Sequence, residues 1–283
     1  MLEFYHKINQ NQFMKKNYDK KIALFCGALR LPFLVRDALR ANGWEVFVIG
    51  LRGFYDSALK PDLDIRLGGG GTAAKECKKR GITNLCFVGA IGHPNLSDIR
   101  PDLWSISVLA KILKNQKGYD SMASTLIASI ESKGFKILAA QDLCPELTFV
   151  PGVQTKTKPS RDDLKTIERA THVSMVMGAE DIGMSVVVDK QVLAVEAAEG
   201  TAEMLKRVIA IRGGRRGSGV FAKMTKPNQD LRIDIPAIGV DTVRDVTAAG
   251  LKGIVVNAKT CFVIDRDKVI AAANKAKIFI VAK

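Results

Sequence analysis

Little in this sequence points to redox or structural-metal chemistry. The five cysteines, Cys26, Cys77, Cys86, Cys144 and Cys261, form no C-x-x-C pair, so neither a zinc ribbon nor a redox dithiol is indicated. Three of them lie in apolar runs (LFCG, NLCFVG, TCFVID), where a free thiol acts as a small hydrophobe, and a reducing cytoplasm fits. The three histidines, His6, His93 and His172, make no H-E-x-x-H pattern, and the absence of G-x-S-x-G disfavours a serine hydrolase. No apolar run approaches the length of a membrane span. The start, MLEFYHKINQNQFMKKNYDKK, reads as a polar extension rather than a signal peptide, with Met14 before Lys15-Lys16 as an alternative start. Aromatic residues are only 6%, and no basic-aromatic interleaving offers a platform for stacking bases.

What the chain does have is charge. Among 283 residues, 43 Lys and Arg against 29 Asp and Glu give a net charge of +14, which favours acidic partners. The surplus is spread evenly over both halves with no basic arm, so specific nucleic-acid binding is not expected. Hydrophobic residues at 47% are ordinary for a globular protein large enough to bury a core without staples.

Apolar runs closed by glycine alternate with helical periodicity. KIALFCG predicts a strand, PFLVRDALRANG a helix, WEVFVIGL a strand, the stretch after Gly68–Gly71 a helix, ITNLCFVG a strand, then helices over 107–116 and 121–134 and a strand at FKILAA. This grammar implies an α/β fold with a largely parallel sheet. The polar stretch 151–162 reads as a linker. After it, 163–178 predicts a helix, SVVVDKQVLAVEA a hairpin turning at Asp189-Lys190, GVFAKMT a strand, and GIVVNA, TCFVID and IFIVA further strands. The expected organisation is an extension over 1–20, a first α/β domain over 21–150, a linker over 151–162 and a second α/β domain over 163–283.

Several places could carry chemistry. The first strand-to-helix turn holds Gly27 but no G-x-G-x-x-G, which disfavours a dinucleotide enzyme and leaves open a phosphate at the helix N-terminus or a plain turn. Gly68 to Gly71 allow close backbone approach to an anion, or simple flexibility; no Walker lysine follows. Gly89 and His93 follow a strand, where α/β folds bind ligands. Glu196 and Glu199 lie between a strand and a helix that begins near Thr201, readable as metal or base sites or as charges matching the helix dipole. Asp181 raises the same question. The richest stretch is KMTKPNQDLRIDIPAIG, residues 223–239. If 230–235 is extended, Asp230, Arg232 and Asp234 share one face and Leu231, Ile233 and Ile235 the other, with Lys223 and Lys226 upstream. Carboxylates for a divalent cation beside cations for phosphate oxygens is what phosphoryl transfer needs. A solvated edge strand with its own Arg–Asp pairs fits the spacing equally well.

The same stretch resembles the signature of the LpxI-type UDP-2,3-diacylglucosamine pyrophosphatases through Lys223, Lys226, Pro227, Gln229, Asp230, Arg232, Asp234, Pro236, Ile238 and Gly239. LAVEAAEGTAEML, AGLKGIVVNA and VIDRDKVIAAANKAKIFIVA also resemble that family, and the likeness runs from about Lys21 to the C-terminus. Ala28-Leu29, His93-Pro94 and Ala202 depart from its pattern. The resemblance implies a Rossmann-like domain, a distinctive C-terminal domain, a homodimer, and Mg²⁺-dependent hydrolysis to UMP and lipid X by water attack on the α-phosphorus. It also implies peripheral contact with the inner face of the inner membrane. Carried over residue by residue, it makes Asp234, Lys223, Lys226 and Arg232 the catalytic expectations. Asp234, Asp230 and Glu196 become metal ligands, with Glu199 a further metal-ligand candidate, and Gln229 a substrate contact. Gly27, Gly68, Gly69, Gly89, Glu199 and Thr201 are also candidate substrate contacts, from their places at strand ends and helix starts. A non-catalytic nucleotide-sugar binding protein is the competing reading.

Overall fold

The computed structural model describes residues 19–91, 99–114, 119–227 and 229–283. Five apolar runs form the first sheet: β1 (Lys21–Cys26), β2 (Glu45–Leu51), β3 (Leu63–Ile65), β4 (Asn84–Val88) and β5 (Lys136–Ile137). They are all parallel, in the order β3-β2-β1-β4-β5. Parallel neighbours require crossovers, and α1 (Leu31–Ala41), α2 (Gly70–Lys79), α3 (Leu103–Lys114) and α4 (Tyr119–Glu131) lie along those connections. Alternation along β1 divides the core in two. Ile22, Leu24 and Cys26 face Val35 and Leu39 of α1, whereas Ala23 and Phe25 share the other layer with Ala73 and Cys77 of α2 and Ile127 and Ile130 of α4. The strand expected over FKILAA shortens to β5, because the chain turns at once into α5 (Ala140–Leu143).

The second sheet is mixed. Its strands are β6 (Gly152–Val153), β7 (Ser185–Asp189), β8 (Gln191–Val195), β9 (Val220–Lys223), β11 (Gly253–Val256) and β13 (Phe279–Ala282). Their order is β6-β13-β11-β9-β7-β8, with β9, β11 and β13 parallel and β6 and β7 antiparallel to their neighbours. The β7–β8 hairpin turns at Asp189 and Lys190 as the sequence predicts. The polar stretch 151–162 is not a free linker: β6 pairs with β13, and the Ile280 amide donates to Thr155 Oγ1 at 3.0 Å.

Helix α6 (Arg161–Ala179) opens with a capping box, Ser160 and Asp163 each accepting the other's amide proton. It covers one face of the sheet through Ile167 and Ala170, over Val186, Val220 and Val255. Helices α7 (Gly200–Arg212), α8 (Val240–Ala248) and α9 (Arg266–Ala276) cover the other through Met204, Val208, Val246 and Val269. Gly253 is required at its position: a Cβ there would sit 2.0 Å from the Phe279 ring.

A two-stranded parallel ribbon, β10 (Ala237–Ile238) with β12 (Phe262–Val263), ties the halves together. Phe262 is fully buried in the α1-side core of the first domain, and Ile235 and Ala237 pack against that core.

Candidate active site

The charged and hydroxylic residues of the second domain gather at one edge of its sheet. Lys223 is the last residue of β9, and Ser185, the first of antiparallel β7, is its register partner. Glu196 follows β8 and its amide donates to the Ser185 carbonyl at 2.9 Å. Helix α7 starts at the same edge, with Thr201 in its first turn. The Lys223 ammonium donates to Thr201 Oγ1 at 2.8 Å, and that hydroxyl donates to Glu196 Oε1 at 2.8 Å. Ser185 Oγ lies 3.4 Å from the same hydroxyl. Glu196 is only 9% exposed. Burial pushes its pKa up, but the Lys223 charge and the Ser185 and Thr201 hydroxyls outweigh burial and leave it below the ordinary carboxylate value. Gly183 makes room for this turn, since a Cβ there would lie 2.1 Å from the Glu196 carbonyl oxygen.

Residues 230–235 are not the alternating strand expected from their pattern. They form a helical turn, with the Ile233 and Asp234 amides both donating to the Asp230 carbonyl. Asp230 causes it: its carboxylate accepts the Arg232 amide at 3.0 Å, two residues on, and also holds the guanidinium at 2.9 and 2.7 Å. Arg232 reaches back to Glu131 of α4 at 2.7 Å. The two aspartates are held by different partners. Asp234 Oδ2 instead accepts from Gln229 Nε2 at 2.6 Å.

Gln229, 9% exposed, is the hub of this loop. Its carbonyl accepts the Lys226 amide at 3.0 Å, and its Nε2 also lies 3.3 Å from Met184 Sδ. The Lys226 side chain, 8% exposed, pairs with Asp181. At the end of β9 the Thr225 amide donates to Asn257 Oδ1 at 2.7 Å.

The loop is seated on the first domain. Gln141 Nε2, just past β5, donates to the Leu231 carbonyl at 3.2 Å. Ile233 packs on the α2- and α4-side core and Ile235 on the α1-side core. Arg30, in the turn after β1, pairs with Asp265 at the start of α9 at 3.0 Å. The loop thus lies where the carboxyl ends of the first sheet's strands meet the second domain, a position where open α/β sheets bind ligands.

Residues 21–147 match the LpxI N-terminal domain family, and residues 150–281 match the LpxI C-terminal domain family. The chain is also 37% identical over 270 residues to UDP-2,3-diacylglucosamine pyrophosphatase LpxI of Caulobacter vibrioides, covering 92% of this chain and 96% of that protein. The chain belongs to the LpxI family. Within this LpxI-family chain the remaining sequence expectations fare unevenly.

Lys223, Thr201 and Glu196 converge in one network, and Lys226, Gln229 and Asp234 in another. Asp230 and Arg232 form a pair of their own. The metal set Asp234, Asp230 and Glu196 is not assembled: among the described residues no three His, Cys, Asp or Glu side chains come together as a metal site. Asp230 is engaged by Arg232 and Glu196 by Thr201. Glu199 turns into its own helix start, where it pairs with Arg207.

The glycines are explained by packing. A Cβ on Gly68 would lie 2.8 Å from Pro101, and one on Gly70 would lie 2.4 Å from the Trp104 ring. The amides opening α2 are already used: Thr72 donates to Asp102 at 3.0 Å and Gly70 to Ser105 at 3.2 Å. That leaves no amide of this pair for an anion, and Gly69 donates its own amide to Arg66. Gly27 and Gly89 let the turns after β1 and β4 touch, since a Cβ on either would meet Ala90 or Ala28 backbone oxygen at 2.5 or 2.8 Å. His93 lies outside the described residues.

Sequence reasoning missed Ser185, Asn257, Gln141 and Glu131. The first two carried a signal: each is a polar residue at the end of an apolar strand.

Proposed function

We propose that this chain hydrolyses UDP-2,3-diacylglucosamine to UMP and lipid X in lipid A biosynthesis, by water attack on the α-phosphorus. Family membership across both domains supports the reaction. The observation that carries the residue assignment is the Gln229–Asp234 hydrogen bond in a loop whose own Lys226 and Arg232, together with Lys223 at the end of β9, are each fixed in place. Lys223 is fixed by Thr201, Lys226 by Asp181, and Arg232 by Asp230 and Glu131. Donors set before the substrate arrives need not reorganise as negative charge develops on the phosphorus, which is how such groups lower a barrier. Gln229 fixes the Asp234 carboxylate, and Asp234 directs the attacking water or holds a cation against the diphosphate.

Magnesium fits this chain in a reduced form. The ion is commonly held by one or two carboxylates together with substrate phosphates, and Asp234 with the diphosphate meets that need. When bound it would neutralise diphosphate charge. Asp230, with both oxygens held by Arg232, is left out of the ligand set, whereas Glu196 is held by Thr201 through Oε1 alone and keeps a buried Oε2 with no hydrogen-bond partner among the described residues. We also propose a homodimer acting at the cytoplasmic face of a membrane. Among the described residues, no helix is long and apolar enough to cross one.

The test is hydrolysis of UDP-2,3-diacylglucosamine in isotopically labelled water, with and without Mg²⁺. Label in UMP supports the reading; label in lipid X moves the attack to the other phosphorus; absence of products overturns the function. A folded Asp234→Ala variant should lose activity by on the order of a hundredfold or more while retaining UMP binding. Near-normal turnover would remove Asp234 from the mechanism.

A further inference from the structure

Helix α3 buries one side and leaves the other uncovered by any described part of the chain. Ser105 and Val108 face inward. Leu103 is 88% exposed, Ile106 50% and Leu113 64%. At about 100° per residue, Leu113, Ile106, Ala110 and Leu103 fall within an arc of roughly 80° on the outward side. Lys114, Ser107 and Lys111 occupy the adjoining arc, and all three are exposed. The helix contains no acidic residue. It therefore presents an apolar strip bordered by two ammonium groups, the pattern of a helix that lies in a bilayer interface with its lysines reaching toward headgroups.

The helix also sits at a telling place. Its first turn packs on Gly70, and Pro101 just before it packs on Gly68, in the connection that follows β3. Exposed Leu29 and Ile91 flank the Ala28–Ala90 bridge, after β1 and β4. All three connections leave the carboxyl edge of the first sheet, the edge on which the Leu231–Ile235 turn is seated.

We infer that the Leu103–Ile106–Leu113 face of α3, with Lys111 and Lys114, docks the enzyme on a bilayer surface carrying anionic lipid. Charge complementarity selects this occupant over a second copy of the chain. In an antiparallel self-pairing of α3, Lys111 and Lys114 would approach the positive N-terminal end of the partner helix. An anionic leaflet instead attracts each lysine by about 1 kcal/mol per residue, a roughly fivefold gain in partition. The inference deepens the proposed function and rests on the substrate being a diacylated lipid, because docking at this edge brings the loop near the layer in which such a substrate resides.

The test uses the full chain and substrate-free vesicles of phosphatidylethanolamine with about one third phosphatidylglycerol, in about 0.15 M salt. Wild type should sediment with these vesicles and not with neutral phosphatidylcholine. Changing Leu103, Ile106 and Leu113 together to Ser should lower the partition about tenfold or more. Lys111→Glu with Lys114→Glu should do the same while leaving the apolar strip intact. Far-UV circular dichroism and Trp104 fluorescence establish that the variants are folded. Wild type remaining in the supernatant, or a triple variant that sediments like wild type, overturns the inference. So does a triple variant that falls from dimer to monomer in light scattering with vesicle binding unchanged, which would make the strip a contact between copies. Because no vesicle contains substrate, this assay reads the docking face alone; failure of the separate hydrolysis assay in labelled water would count against the proposed reaction and not against the docking face.

Discussion

Thr201 is the point at which the site can be perturbed most cleanly. Its hydroxyl accepts from Lys223 and donates to Glu196, both at 2.8 Å. Thr201→Val keeps the shape and the branched Cβ and removes only the hydroxyl, so neither a cavity nor overpacking confuses the result. Hydrogen bonds to charged groups contribute about 1.5–3 kcal/mol each. Glu196 is too buried for water to replace its lost donor, but Ser185 Oγ is near enough to take over part of the role, and Lys223 is only partly buried. The net loss should be about 2 kcal/mol, roughly a thirtyfold fall in the folding equilibrium. Thr201→Ser, which retains the hydroxyl, should stay within about 1 kcal/mol of wild type. Both tryptophans, Trp44 and Trp104, belong to the first domain, so their fluorescence would report the wrong half. Urea unfolding should be followed by far-UV circular dichroism, with amide exchange in α7 as the local readout. Turnover should fall along with stability, because Lys223 loses its anchor. A valine variant as stable and active as wild type, or a serine variant that is the weaker of the two, would refute the network.

Glu196 also predicts a pH dependence. Its folded pKa lies below the ordinary 4.5, so its contribution is full above that value and is lost as pH falls through the lower folded value. Glu196→Gln should therefore be less stable than wild type near neutrality and show a shallower acid limb, measured as unfolding midpoints across the acid range. Gly70→Ala drives a methyl into the Trp104 ring and should cost about 1–3 kcal/mol, with a shift in Trp104 emission as the direct check. Arg232→Met breaks both the Glu131 bridge and the two-point pair with the largely buried Asp230 carboxylate, so unfolding should lose about 1–3 kcal/mol. Turnover should fall on the order of tenfold to a hundredfold if Arg232 serves the diphosphate; kinetics and melting on one preparation separate the two effects.

Much of the fold could be read locally. Runs such as KIALFC and GIVV have one plausible fate when bounded by glycine, and the hairpin at Asp189-Lys190 was announced by its turn. The active-site loop was legible in its residues and misread in its shape. Alternating Asp-Leu-Arg-Ile-Asp-Ile satisfies a strand, but it equally satisfies a turn whose two isoleucines enter different cores of another domain. The local Asp230–Arg232 bond starts the turn, and Gln141 and Glu131, some ninety to a hundred positions earlier, hold it in place. The glycine run failed for a similar reason: Asp102 and Ser105, which occupy the amides at its helix start, arrive some thirty residues later. Pairings such as Lys226 with Asp181 are set by topology, which periodicity does not encode.

The ribbon that carries Phe262 makes the two halves inseparable. Family boundaries near residues 147 and 150 invite cutting the chain there, and each sheet has its own helices. Yet a severed first half would present an open socket where Phe262, Ile235 and Ala237 belong, and a severed second half would carry those side chains bare to water. Such fragments would favour reassociation over solubility. Fusions or swaps between relatives would therefore have to carry residues 235–263 together with the first-domain surface that receives them.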